Sequence, residues 1–407
     1  MATPAPHVIR SEIVRFAHAG LDLHEFARDA TRVLRRAVPF DGVAVVALDP
    51  ATALPVDKWK HNFLSDRAGW RLAEIELHES DVNKFSQLAA AGRRAASLSE
   101  ATGGNLDRSR RYRELIRPHG FGDELRTACA DDSGVVWGQI VMHRERCAPN
   151  FTVRDVKLLA SLSGELAEGL QRVSLAGDLV GNVGFPDPGL LVIDDEDGIE
   201  LADDAAAAWL DELRDNGRWG RLPLVVMAVA ERARAIASGH SDVAATARAR
   251  TASGRWVIAR GSVLRNGTGS RTAVTLASAR APELAELIAA AHCLTARERR
   301  VTELVAQGLP TDAIGARLHL STYTVQDHLK AIFEKVDVST RGQLVARLFL
   351  DHYQVDGRLS DPRQATPACR LVQCHRRAVA RPWRTVDPAE PELPTRAVTA
   401  ARPRDPR

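Results

Sequence analysis

Between Leu294 and Val336 the chain spells out three short helices in quick succession, and this constrains its fold more than any other segment does. Thr295, with Glu298 three positions later, forms a capping box: a hydroxyl and a carboxylate that satisfy each other's backbone N–H groups at a helix start. Val301, Leu304 and Val305 form a buried stripe, and Gly308 supplies the stop. Thr311 is expected to cap a second helix that buries Ile314 and Leu318. A short turn at His319 and Leu320 leads to Ser321, a third cap. Val325, Leu329, Ile332, Phe333 and Val336 then fall at i, i+4, i+7, i+8 and i+11, which is one face of a helix. Two short helices joined by a tight turn are a helix-turn-helix, within an all-α unit placed at 290–353.

The outward residues near the start of the third helix are Tyr323, Gln326, Asp327 and Lys330. A helix fits the major groove of duplex DNA, where Gln pairs with adenine, Lys reaches guanine and Asp accepts from cytosine; these four are the expected base contacts. The free N–H groups at the helix start attract phosphate. The apolar stripes alone would fit any small helical bundle, so the assignment rests on the caps, the turn and the order of the motif together.

The segment resembles the LuxR-type family of regulators. The family pattern S-x-x-T-V-x-x-H-L-x-x-I-x-x-K followed by V-x-x-R-x-x-L is met by Ser321, Thr324, Val325, His328, Leu329, Ile332, Lys335, Val338, Arg341 and Leu344. The opening L-T-x-R-E is met by Leu294, Thr295, Arg297 and Glu298. The resemblance implies double-stranded DNA as partner, with phosphate contacts from Ser321, Thr324, Lys335 and Arg341. It also implies a last helix, Thr340 to Phe349, that pairs two subunits through Leu344, Val345 and Leu348. RNA polymerase is a further candidate partner. Two departures stand out: Asp337 where the family has glycine in a left-handed helix end, and the acid Asp327 on the groove face.

Upstream, apolar periodicity gives a helix over Leu23–Ala37 with Asp22 as cap, strands over Gly42–Leu48 and Pro55–Asn62, and helical stretches near Asp81–Ala91 and Ser109–Arg117. Paired strands follow at Phe121–Ala130 and Val135–Arg144 across Asp131-Asp132-Ser133-Gly134. A long helix starts at Thr152. Its stripe of Val156, Leu159, Leu162, Leu166, Leu170 and Val173 is longer than a cap over one sheet requires, so part of it is expected to join a homodimer. This α+β block, 11–180, resembles a GAF sensor domain, with HGFGDELRTACADDSGVVWGQIVMHRE and FTVRDVKLLASL carrying the likeness. Residues 187–280 resemble a PAS sensor domain through GLLVIDDEDGIELADDAAAAWL and SGRWVIARGSVL, again α+β. The resemblances imply a small-molecule ligand such as a metabolite or a haem, or a protein signal, in these blocks. The cofactor is unknown from the sequence, and the weaker alternative for each block is a mixed sheet with no ligand.

Residues 1–10 are expected to be disordered, as is the tail 354–407, which holds 8 of the chain's 20 prolines. The tail also carries 11 arginines against 6 acids, leaving 44 basic and 46 acidic residues upstream. The net charge of +3 therefore comes from the tail, and DNA binding must rest on the local motif. No signal-like or membrane-length apolar run occurs, which points to a soluble cytoplasmic protein. The five cysteines include no C-x-x-C, and Cys369, Cys374 and His375 lack a matching second pair, so no metal is expected.

Other functions fit less well. Asp194, Asp195 and Glu196 after an apolar strand suggest a phosphoacceptor pocket, but no lysine lies between Lys157 and Lys330 to complete it. No G-x-x-x-x-G-K-[ST], G-x-S-x-G or H-E-x-x-H is present, so an enzyme with a fused regulatory domain is a weaker alternative. A sigma-like promoter-recognition factor would need a helical, polymerase-binding region upstream, where the sequence reads as sensors.

Overall fold

A computed structural model describes residues 5–175, 187–213, 222–266, 269–280, 283, 284, 287, 292 and 294–345. The first helix, α1 (Pro6–Ala17), begins inside the stretch expected to be disordered. Pro6 opens it, where a missing N–H costs nothing, and Ile9, Ile13 and Ala17 are buried one turn apart. α2 (Leu23–Ala37) follows, with Asp22 as the expected cap and Glu25 completing a capping box with it. The stripe read as one long helix is two: α6 (Val153–Ser161) and α7 (Ser163–Leu175), with Leu162 at the break. α1 and α2 pack against α7, and Leu159, Leu162, Leu166 and Leu170 are buried in the block's own core. That burial removes the reason for assigning these leucines to a dimer contact.

The first sheet runs β2 (Pro55–His61), β1 (Gly42–Leu48), β5 (Val136–Glu145), β4 (Phe121–Ala130), β3 (Ala95–Ser97), all antiparallel. Its other face carries α3 (Asp66–His78), which the sequence reading missed, α4 (Phe85–Ala90), α5 (Leu98–Ala101), and a short 3-10 turn and π turn in place of the helix expected over Ser109–Arg117. Beneath them lies a buried ion network. Arg111 meets Glu124 at 2.6 Å and Asp81 at 3.2 Å, while Arg126 Nε lies 2.9 Å from Glu124 and Nη1 pairs with Glu76. His143 stacks between Phe63 and Phe121, with ring centroids 4.7 and 4.8 Å away. Burial alone would raise the Glu124 carboxyl, yet Arg111, Arg126 and His143 hold it well below the usual carboxylate range.

The second sheet runs β7 (Ile199–Ala202), β6 (Gly189–Ile193), β10 (Gly269–Ser278), β9 (Trp256–Asn266), β8 (Thr246–Arg250). Numbered within its own block, each sheet has the order 2-1-5-4-3. α8 (Asp204–Leu213) packs on β6, and α9 (Leu224–Ala237) packs on β9 while also touching β2 and α3 of the first block. Every residue from Val225 to Ala233 is buried, as a helix covered on all sides requires. Gly261 lets β9 approach it, since a Cβ there would lie 2.4 Å from the Val229 carbonyl oxygen. Leu54, from the β1–β2 turn, sits in the second core. Next to it Asp49 accepts from Arg248 Nη1 at 3.0 Å and from the Arg248 N–H at 2.8 Å, both residues being buried. Arg248 Nε also donates to the Glu283 carbonyl at the start of the stretch leading to residue 294. Among the described residues no helix is long and apolar enough to cross a membrane, and no group of acids, histidines and cysteines could hold a metal ion.

Glu124→Gln removes the carboxylate that Arg111 and Arg126 share and leaves each with one other acid, Asp81 and Glu76, which should cost about 1.5–3 kcal/mol by urea unfolding. The native carboxyl titrates below its unfolded value, so its contribution is full above about pH 4.5 and fades as pH falls further. The variant should therefore lose less stability than the wild type on acidification.

Candidate nucleic-acid interface

The C-terminal unit is built from α10 (Ala296–Ala306), α11 (Thr311–Leu318), α12 (Thr322–Val336) and α13 (Arg341–Val345). At the start of α10 the Thr295 hydroxyl accepts from the Glu298 N–H at 3.2 Å, and Glu298 Oε2 accepts from the Thr295 N–H at 2.7 Å. The expected capping box is therefore present. Gly308, at φ +79°, ends the helix, and the Leu309 N–H reaches back to the Leu304 carbonyl at 3.1 Å. Thr311 does not cap α11: Pro310, in an extended conformation, occupies that position, and the Thr311 hydroxyl instead accepts from Arg341 Nη2 at 2.5 Å.

His319, in the left-handed region at φ +54°, makes the turn, and the Leu320 N–H closes it onto the Gly315 carbonyl at 2.9 Å. Ser321 caps α12, accepting from the Thr324 N–H at 3.0 Å, and the Ser321 and Thr324 hydroxyls share a hydrogen bond of 2.8 Å. Val325, Leu329, Ile332 and Val336 are buried. On the opposite side Tyr323, Gln326, Asp327 and Lys330 are all exposed, Tyr323 to 73%. Their spacing of i, i+3, i+4 and i+7 puts them on one face. Alongside runs a shallow groove of about 500 Å³, rimmed by Gln326, Lys330, Glu334 and Asp337 over Leu329, Phe333 and Val338.

Residues 292–348 match the model of bacterial regulatory proteins of the luxR family. Residues 22–170 match the GAF domain model. Similar proteins include an HTH-type transcriptional regulator of Aeromonas salmonicida, 46% identical over 59 residues (14% of this chain, 30% of that protein). The transcriptional regulatory protein DesR of Bacillus subtilis is 41% identical over 68 residues (16% and 34%), and UhpA of Escherichia coli is 45% identical over 56 residues (14% and 29%). The chain thus spans about a third of the length of each of these relatives. Its luxR-family segment and GAF domain are established at the level of domains.

Within the luxR-family segment two assigned roles need correction or refinement. Leu344 is fully buried in the unit's own core and Val345 packs beside it, so Leu344 is not an outward dimer contact; Leu348 lies outside the described residues. Lys335 Nζ lies 2.7 Å from Glu298 Oε2, and Arg341 donates to the Leu309 carbonyl at 2.8 Å as well as to Thr311. Burial would raise the Glu298 carboxyl, but Lys335 and the Thr295 donors bring it below its ordinary value. Sequence reasoning missed this pair, because residues 37 positions apart follow no spacing rule.

Asp337 ends α12 at φ +56°, the left-handed conformation that glycine adopts without strain. Asp337→Gly should stabilise the protein by about 1 kcal/mol, since non-glycine residues there cost roughly 1–2 kcal/mol. A rise in melting temperature with unchanged helical circular dichroism checks this.

Proposed function

We propose that this chain is a DNA-binding transcription regulator that lays α12 in the major groove and is controlled by two sensor blocks upstream. The observation that carries this reading is the exposed face Tyr323, Gln326, Asp327, Lys330 on a capped helix, presented by a tight turn inside a luxR-family segment. In this reading Gln326 and Lys330 pair with adenine and guanine edges, Asp327 accepts from a cytosine amine, and Tyr323 packs against the groove. Ser321 and Thr324, at the helix start, meet phosphate. The described unit, residues 294–345, has 7 basic and 6 acidic residues, so specificity would come from base edges more than from bulk charge.

The second block is a PAS-like sensor in this reading, supported by its sheet order, which matches that of the GAF domain, and by helices packed on one face. A small-molecule ligand in either block, a homodimer with two half-sites, RNA polymerase as a partner and a cytoplasmic location belong to the same proposal. The dimer contact would use surfaces other than Leu344. An enzymatic role is not part of it.

Selection from a random-sequence duplex library with the full chain tests the proposal. The wild type should recover a defined motif. Gln326→Ala should relax preference at one position, losing about 1–3 kcal/mol of discrimination there. A chain ending at Tyr353 should still bind. Binding that needs only residues 354–407 would overturn the reading.

A further inference from the structure

The reading helix must be held at a fixed angle for its short side chains to meet base edges, and three cations of the unit serve internal contacts that do this. Lys335, in the last turn of α12, reaches the Glu298 carboxylate at 2.7 Å, and that same carboxylate oxygen closes the capping box at the start of α10. Arg341, at the start of α13, donates to the Leu309 carbonyl and the Thr311 hydroxyl, which flank the start of α11. Arg297 of α10 donates to the Leu318 carbonyl at 2.7 Å, just before the turn into α12. Each contact joins a helix end to a different helix. Glu298 is only 5% exposed, so a Lys335 drawn away to a phosphate would leave a buried carboxylate without its cation.

From this geometry we infer that Lys335 and Arg341 are positioning residues, which fix α12 against α10 and α11, and do not contact phosphate. The inference rests on the DNA-binding reading above and reassigns two phosphate contacts that the family resemblance implied. Phosphate is met instead by the α12 start and by exposed cations outside these contacts, with Lys330 divided between base edge and backbone. The reading helix is then oriented by an acid that never touches DNA, and Glu298 becomes as important to affinity as any residue on the groove face.

A double-mutant cycle on the full chain separates the two roles, using a duplex selected by the wild type from a random-sequence library. Glu298→Gln keeps the capping box, because glutamine can also accept there, but removes the charge from Lys335. Lys335→Met keeps the stem and removes the ammonium. Each single change should lower affinity about tenfold for every duplex, and the double variant should be no weaker than either single, since both break one interaction. The slope of log affinity against log salt should stay at the wild-type value in all three. If Lys335 contacts phosphate, Lys335→Met lowers that slope by about one, Glu298→Gln leaves affinity unchanged and the losses do not overlap; this result overturns the inference. Lys335→Arg, which keeps the pair, should retain wild-type affinity, and thermal melting of each variant identifies any that fail to fold. Failure of the wild type to select any duplex would sink the DNA-binding reading itself, a different outcome from either of these.

Discussion

The Glu298 carboxylate is the group on which the C-terminal unit depends. One oxygen accepts from the Thr295 N–H and from the Lys335 ammonium, so the start of α10 and the end of α12 meet at a single buried charge. Around this point the apolar residues can be ordinary: Val301, Leu304, Ile314, Val325 and Ile332 exclude water but do not set a direction. Hydrophobic burial is non-directional, whereas a charge-assisted hydrogen bond fixes both distance and angle. The orientation of Tyr323, Gln326, Asp327 and Lys330 follows from that anchor.

The same device recurs between the two upstream blocks at larger scale. Leu54 places apolar surface of the first block in the core of the second, and the Asp49–Arg248 pair beside it is fully satisfied. Arg248 also holds the Glu283 carbonyl, so one side chain touches the GAF domain, its own sheet and the approach to the luxR-family segment. α9 is buried on every side because both blocks use it, including Glu231, whose carboxyl is raised by burial despite the Arg234 partner. The β1–β2 turn and α3 of the first block are therefore both packed against the second block, α3 through α9 itself.

Local signals carried most of the fold. The capping boxes at Asp22, Thr152 and Thr295, the stop at Gly308 and the paired strands around Asp131 follow from side chains that act within a few residues of themselves. The errors arise where distant partners decide. Ile9 and Ile13 had helical spacing, but a short amphipathic segment at a terminus is stable only because α7 and α2 cover it. Glu124 and Arg126 alternate along β4 as solvent-facing residues would, and only the overlying Arg111, Asp81 and Glu76 make them buried. Leu344 satisfies an outward stripe on paper, yet the short connection through Arg341 turns it into the core. On the groove face the four expected residues are exposed together, because a helix face is set by spacing alone.

Hydrogen exchange of the full chain with and without a selected duplex tests the central claim most directly, since it reports where DNA touches. Protection concentrated on residues 311–330, the second helix and the first half of the reading helix, is the result this account predicts. Protection confined to residues 5–175, or to residues beyond 353, with the reading helix unchanged, would contradict it.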